Sequence, residues 1–154
     1  MLLEINTKAP DFSLPDQNGD MVSLSDYKGK KIVLWFYPKA STPGWIIEGK
    51  TFRDEIKKFD GLGVVILGAS ADSINKQKNF CTKQQFPFSL LSDPEHSMLE
   101  SYKVWGKKKF MGREYMGISR ITYIIDEKGM IEYVFEKVKT SSHATDILNI
   151  LNDN

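Results

Sequence analysis

The chain has 154 residues, 41% hydrophobic and 27% charged, with 21 basic and 20 acidic side chains and a formal net charge of +1. This size and balance predict one ordinary soluble domain that buries roughly two-thirds of its unfolded surface, and exclude the strong field that nucleic acid or an anionic membrane would need. A single cysteine, Cys81, excludes an internal disulfide and a cysteine-rich metal site.

Met1-Leu2-Leu3 is too short for a signal peptide, and no apolar run approaches the ~20 residues of a membrane span. The expectation is a cytosolic protein. Asp11 to Leu14 and Met21 to Leu24 alternate in polarity around Asn18-Gly19, a hairpin signal. Ser25 to Tyr27 and Lys28-Gly29-Lys30 read as a helical turn and a loop. Ile32 to Tyr37 is apolar on both faces and reads as a central buried strand. A loop from Pro38 follows. Thr42 suits an N-cap and Pro43 a first helical residue, which puts Trp45 in the first turn, where free N–H groups make a positive end. The helix runs to about Asp60, and Gly61-Leu62-Gly63 stops it.

Val64 to Ser70 reads as a second buried strand. Asp72 or Ser73 caps a helix from Ser73 to Gln85, ended by Pro87. Phe88 to Leu91 is extended, and Asp93 caps a helix from Pro94 to about Tyr102. Trp105 to Gly117 reads as a loop, with Lys107-Lys108-Lys109 as solvated charge. Ser119 to Ile125 and Met130 to Phe135 read as paired strands around the turn Glu127-Lys128-Gly129. Ser141 or Ser142 caps a last helix to Leu151. The two histidines, His96 and His143, sit beside helix starts and read as surface residues rather than metal ligands. A parallel half followed by an antiparallel hairpin predicts an α/β, thioredoxin-like fold, a mixed central sheet flanked by helices, with an N-terminal β-hairpin.

The stretch Phe36-Tyr37-Pro38-Lys39, then Thr42-Pro43-Gly44, Glu48 and Phe52-Arg53-Asp54 resembles the active-site loop of peroxiredoxins, in their bacterioferritin comigratory (Bcp, PrxQ) group. Phe88 to Pro94, Tyr115 to Ile118 and Arg120 to Asp126 resemble the same group, in the same order. The resemblance implies that residues 1–154 form one thioredoxin-like domain of the AhpC/TSA type. It implies an antioxidant oxidoreductase: a thioredoxin-dependent peroxidase that reduces hydrogen peroxide and alkyl hydroperoxides with a redox-active thiol. No metal or other cofactor is implied, nor any nucleic-acid or membrane partner, and the group suggests a monomer.

The resemblance also implies roles. Thr42 matches the threonine that contacts thiolate and peroxide, Arg120 the arginine that donates to both, and Pro38 the proline that shields the sulfur. Each has a plainer reading as well: an N-cap, a surface charge and a strand end. The match breaks at Trp45, which stands where the family has its peroxide-reacting cysteine. An unperturbed thiol is only about 3% thiolate at pH 7 and gains from a helix N-terminus, but an indole has no ionisable nucleophile at all. Its bulk in a cysteine pocket costs on the order of 1–3 kcal/mol. This predicts an irregular backbone across Thr42 to Glu48, a late helix start, and Arg120 turned towards Glu48 or solvent. Cys81 reads either as a small buried hydrophobe or, by the resemblance, as the resolving cysteine on a later helix. Lys50 stands at the family's other resolving position. As written, the chain is expected to lack peroxidase activity. The alternatives are a non-catalytic binding or regulatory relative, and a weak thiol oxidoreductase using Cys81 alone.

Overall fold

Residues 2–38, 43–136 and 142–152 are described by the computed structural model of the chain. Strands β1 (Ser13–Pro15) and β2 (Met21–Ser23) form the antiparallel N-terminal hairpin, its turn closed by Gly19 at φ 81°. A short 3-10 helix, Leu24–Tyr27, leads to β3 (Lys31–Phe36). Helices α1 (Pro43–Asp54) and α2 (Ile56–Gly61) follow. The single helix expected to Asp60 is therefore two, broken at Glu55, and both halves bury a ring, Phe52 and Phe59. Next come β4 (Val64–Ser70), α3 (Ile74–Gln84), β5 (Ser89–Ser92) and α4 (Ser97–Ser101). The chain continues as β6 (Trp105–Phe110), β7 (Arg113–Ile118), β8 (Thr122–Ile125), β9 (Ile131–Phe135) and α5 (His143–Asn152).

The central sheet has the order β5-β4-β3-β8-β9. Its first three strands are parallel, and β8 and β9 add antiparallel. Residues 32–37 of β3 and its end are at most 1% exposed, as both faces of a central strand must be. Their side chains alternate between two cores. Val33, Trp35 and Tyr37 pack with Phe52, Phe59, Phe80 and Ile147, under α1, α2, α3 and α5. Ile32, Leu34 and Phe36 pack with Met98, Leu99, Tyr102 and Tyr123, under α4 and the N-terminal hairpin.

Two further expectations are corrected. Trp105 to Gly117 is not a loop: β6 and β7 form a two-stranded antiparallel hairpin, turned at Met111 and Gly112, both at positive φ. A methionine at a left-handed turn position is rare, so only Gly112 marks this turn in the local sequence. The helix expected from Pro94 starts only at Ser97, because His96 is left-handed. Asp93 still holds its first turn: Oδ1 accepts from Ser97 N–H and hydroxyl (3.1 and 3.2 Å), and Oδ2 accepts from Leu99 N–H (2.9 Å). No described helix is long and apolar enough to cross a membrane.

Candidate active site

β3 ends at Phe36, and the chain passes through Tyr37 and Pro38 towards α1. Tyr37 is wholly buried, and its hydroxyl donates to Gln77 Oε1. Gln77 Nε2 donates to Ser70 Oγ (3.0 Å) and to the Leu91 carbonyl (2.7 Å), and Ser70 Oγ donates to Asp72 Oδ2 (2.6 Å). These side chains are all buried, so the network works in a low dielectric and fixes the floor from which exposed Pro38 departs. Burial holds the Tyr37 phenol well above its usual range, so it remains a donor.

Arg120 arrives from the neighbouring strand. Thr122 pairs with Trp35, and Phe36 N–H donates to the Ile121 carbonyl at 3.0 Å. That register sets Arg120 beside the Tyr37–Pro38 end of β3. Arg120 is exposed, and its charge acts on Glu48. From Pro43 onward the backbone is regular helix, which corrects the expected late and irregular start. Proline's fixed φ suits a first helical residue, and position 45 lies in the first turn. Thr42 and the Trp45 side chain lie outside the described residues. Among the expected site residues, the register sets Pro38 and Arg120 at one end of β3, and position 45 lies one turn before Glu48, on which the Arg120 charge acts.

Glu48 follows position 45 by one turn, on nearly the same side of α1. It is 1% exposed, and among the described residues its Oε2 has no hydrogen-bond partner. The expectation that His143 lies on the surface is wrong: it too is 1% exposed. Its Nε2 lies 2.9 Å from Thr122 Oγ1 and 3.6 Å from Glu48 Oε1. The rings of Phe52 and Phe135 meet it edge-on. Burial pushes the Glu48 carboxyl up to about 8 against the pull of Arg120, and pushes the His143 imidazole down to about 4 against the pull of Asp146. The 3.6 Å spacing would suit an ion pair, but both shifts favour the uncharged forms, so the pair is neutral near pH 7. Sequence spacing held a clue to both residues. Glu48 is four residues before buried Phe52, and His143 is four before Ile147 and eight before Leu151, so each lies on the apolar face of its helix.

Ser73, not Asp72, caps α3, accepting from Lys76 N–H. Cys81 on α3 is buried among Phe80, Phe86 and Phe88. Its thiol donates to the Phe86 carbonyl (3.2 Å) and receives Gln17 Nε2 (3.5 Å). Burial pushes this thiol up, the reverse of activation. Among the described residues no group of three or more His, Cys, Asp or Glu could hold a metal ion. A cavity of about 670 Å³ between the N-terminal hairpin and the starts of α3 and α4 is lined by Leu14, Pro15, Ile74, Ser92 and Asp93; neither Pro38, Glu48 nor Arg120 borders it.

Residues 5–134 match the AhpC/TSA family. The chain is 47% identical over 153 residues to Peroxiredoxin Bcp of Bacillus subtilis (strain 168), covering 99% of this chain and 98% of that one. It is 45% identical over 145 residues to Peroxiredoxin Bcp of Escherichia coli (strain K12), covering 94% and 93%. Among solved structures, a PrxQ mutant of Xylella fastidiosa superposes with a TM-score of 0.93 at 30% identity, covering 99% and 98%. The bacterioferritin comigratory protein of Xanthomonas campestris, described for its alkyl peroxide reduction activity, superposes at 0.90 and 33%, covering 97% and 98%.

Proposed function

The chain belongs to the AhpC/TSA family, in its Bcp/PrxQ peroxiredoxin group, and from that premise we propose that it is a thiol-peroxidase scaffold with its own reaction switched off at position 45. The carrying observation is Trp45 in the first turn of α1, directly after the central strand, with Arg120 set beside the same strand end. In the family reaction a thiolate attacks one peroxide oxygen, the O–O bond breaks, and the second oxygen leaves as hydroxide or alkoxide. The helix N-terminus and Arg120 would stabilise that charge, and Pro38 and Thr42 would shield and orient the reacting atoms. Trp45 supplies no electron pair for the first step.

Hydrogen peroxide and alkyl hydroperoxides are the substrates this scaffold would take, with thioredoxin or another thiol as reductant. No metal or other cofactor is needed, and a monomer fits the chain. Cys81 would be the resolving residue of an active ancestor. The Xanthomonas campestris peroxiredoxin Q is described as serine mutants of two cysteines with the same separation as positions 45 and 81 here. Cys81 alone makes a poor oxidoreductase, since its thiol is buried and pushed up.

The test is Trp45→Cys. The native chain and the variant are mixed with peroxide, thioredoxin, thioredoxin reductase and NADPH. Turnover is expected from the variant alone. Turnover by the native chain at the rate of a normal family member would overturn the reading. A correctly folded variant without turnover would show instead that the other site residues have drifted out of alignment.

A further inference from the structure

Glu48 and His143 are used by nothing described so far, yet both are buried on the helix pair that carries position 45. We infer that His143 is a positioning residue of this site: seated among Glu48, Thr122, Phe52 and Phe135, it keeps Glu48 dry and in its neutral acid form, so that the turn carrying residue 45 gains no negative charge from Glu48. The inference rests on position 45 being the place of the reacting group.

The geometry carries the argument. At 3.6 Å, His143 Nε2 is too far from Glu48 Oε1 for a hydrogen bond, and its near partner is Thr122 Oγ1 at 2.9 Å. Among the described residues Glu48 Oε2 has no hydrogen-bond partner. An ionised carboxylate held this way would be desolvated with only the weaker pull of Arg120 to offset the loss, and keeping a proton is the cheaper state. Charging His143 would add a second cation, 3.6 Å away, to the pull of Arg120 and draw that proton off. Packed against Phe52 and Phe135, with ring centres 5.5 and 5.4 Å away, the imidazole is shut off from water, and that burial disfavours its charged form. The charged groups acting on the pair are Arg120, ahead of β8, and Asp146, on α5. Each favours the ionised form of its neighbour, and burial outweighs both.

The consequence falls on the anion that the helix N-terminus is built to hold. Side chains three apart on a helix lie roughly 6 Å from each other, and at an effective dielectric of about 20 a carboxylate there disfavours a thiolate by roughly a hundredfold. A neutral Glu48 imposes no such penalty.

The first measurement uses the full chain as it stands and needs no activity. Isotope-edited infrared spectroscopy reads the carboxylic acid carbonyl stretch, assigned to Glu48 by its loss in Glu48→Gln. The band is expected at pH 7 in the native chain, lost at pH 7 in His143→Ala as water reaches Glu48, and kept in His143→Gln, which preserves bulk and the bond to Thr122. A missing band in the native chain, or a band unchanged in folded His143→Ala, overturns the inference. The second measurement titrates the thiol introduced by Trp45→Cys through its ultraviolet thiolate absorbance. Adding His143→Ala should cut the thiolate fraction below the titration midpoint by roughly a hundredfold, and adding Glu48→Gln on top should restore it. No restoration would make His143 merely structural. Failure of peroxidase turnover in Trp45→Cys leaves the infrared result standing, so the two readings fail separately.

Discussion

Gly49→Ala is a change that helix propensity and tertiary packing judge oppositely. Gly49 lies inside α1. In an exposed helix interior the substitution stabilises by about 1 kcal/mol, because alanine has less backbone freedom to lose. Here a Cβ on Gly49 would sit 2.3 Å from Phe86 Cζ and 2.9 and 3.0 Å from Cε2 and Cε1. Carbon atoms rest at about 3.5–4.0 Å, so the overlap exceeds ~1 Å. Phe86 has little room to yield. Its ring stacks on Phe88 at 5.0 Å and 16°, and meets Phe80 edge-on at 5.0 Å and 77°. Overpacking of this kind costs about 2–3 kcal/mol, which leaves a net loss of about 1–2 kcal/mol. For a chain of this length that lowers Tm by about 2–8 °C. Thermal unfolding followed by circular dichroism measures it, with Gly61→Ala as the control, since nothing lies within 4 Å of that Cβ. Adding Phe86→Leu should recover part of the loss, a coupling expected of side chains in contact. A Gly49→Ala protein as stable as the native chain would refute the reasoning and show that the aromatic stack gives way.

Stability should fall from pH 6.5 to 8. Folded Glu48 keeps, up to about 8, a proton that the unfolded chain releases near 4.5, so its contribution drops as pH rises through that window. Folded His143 lacks, down to about 4, a proton that the unfolded chain binds below 6.5, so its contribution rises with pH between those values. The two slopes cancel between 4.5 and 6.5, and Glu48 alone then costs roughly 2 kcal/mol up to pH 8. Chemical denaturation across this range should show the decline in the native chain and not in Glu48→Gln; a flat native profile would contradict it. Cys81 should react slowly with an alkylating reagent at pH 6, limited by opening of the core, and fast labelling would reveal an activated thiol. Asp93→Ala should lower stability by about 2–3 kcal/mol, because it strips a buried carboxylate from Ser97 and Leu99; a loss under about 0.5 kcal/mol in urea unfolding would show that water replaces it.

The chain's local patterns determined most of the frame. A run apolar on both faces, Ile32 to Tyr37, reads as a central strand, and Asn18-Gly19 between alternating segments reads as a hairpin turn, and the structure has both. Motif order led to the family, and a single residue, Trp45, to the expectation that its nucleophile is missing. Tertiary structure decided what depends on partners distant in the chain. His143 reads as a polar residue at a helix start, and only the packing of α5 against α1 buries it beside Glu48, many turns of chain away. The β6–β7 hairpin escapes a local reading because its turn uses Met111 where a turn-forming residue would announce itself. Gly49 looks like a flaw in a helix until Phe86 is placed against it. Periodicity reports which face of an element is apolar; it does not report which groups meet there, and the charge state of a buried acid depends on that meeting.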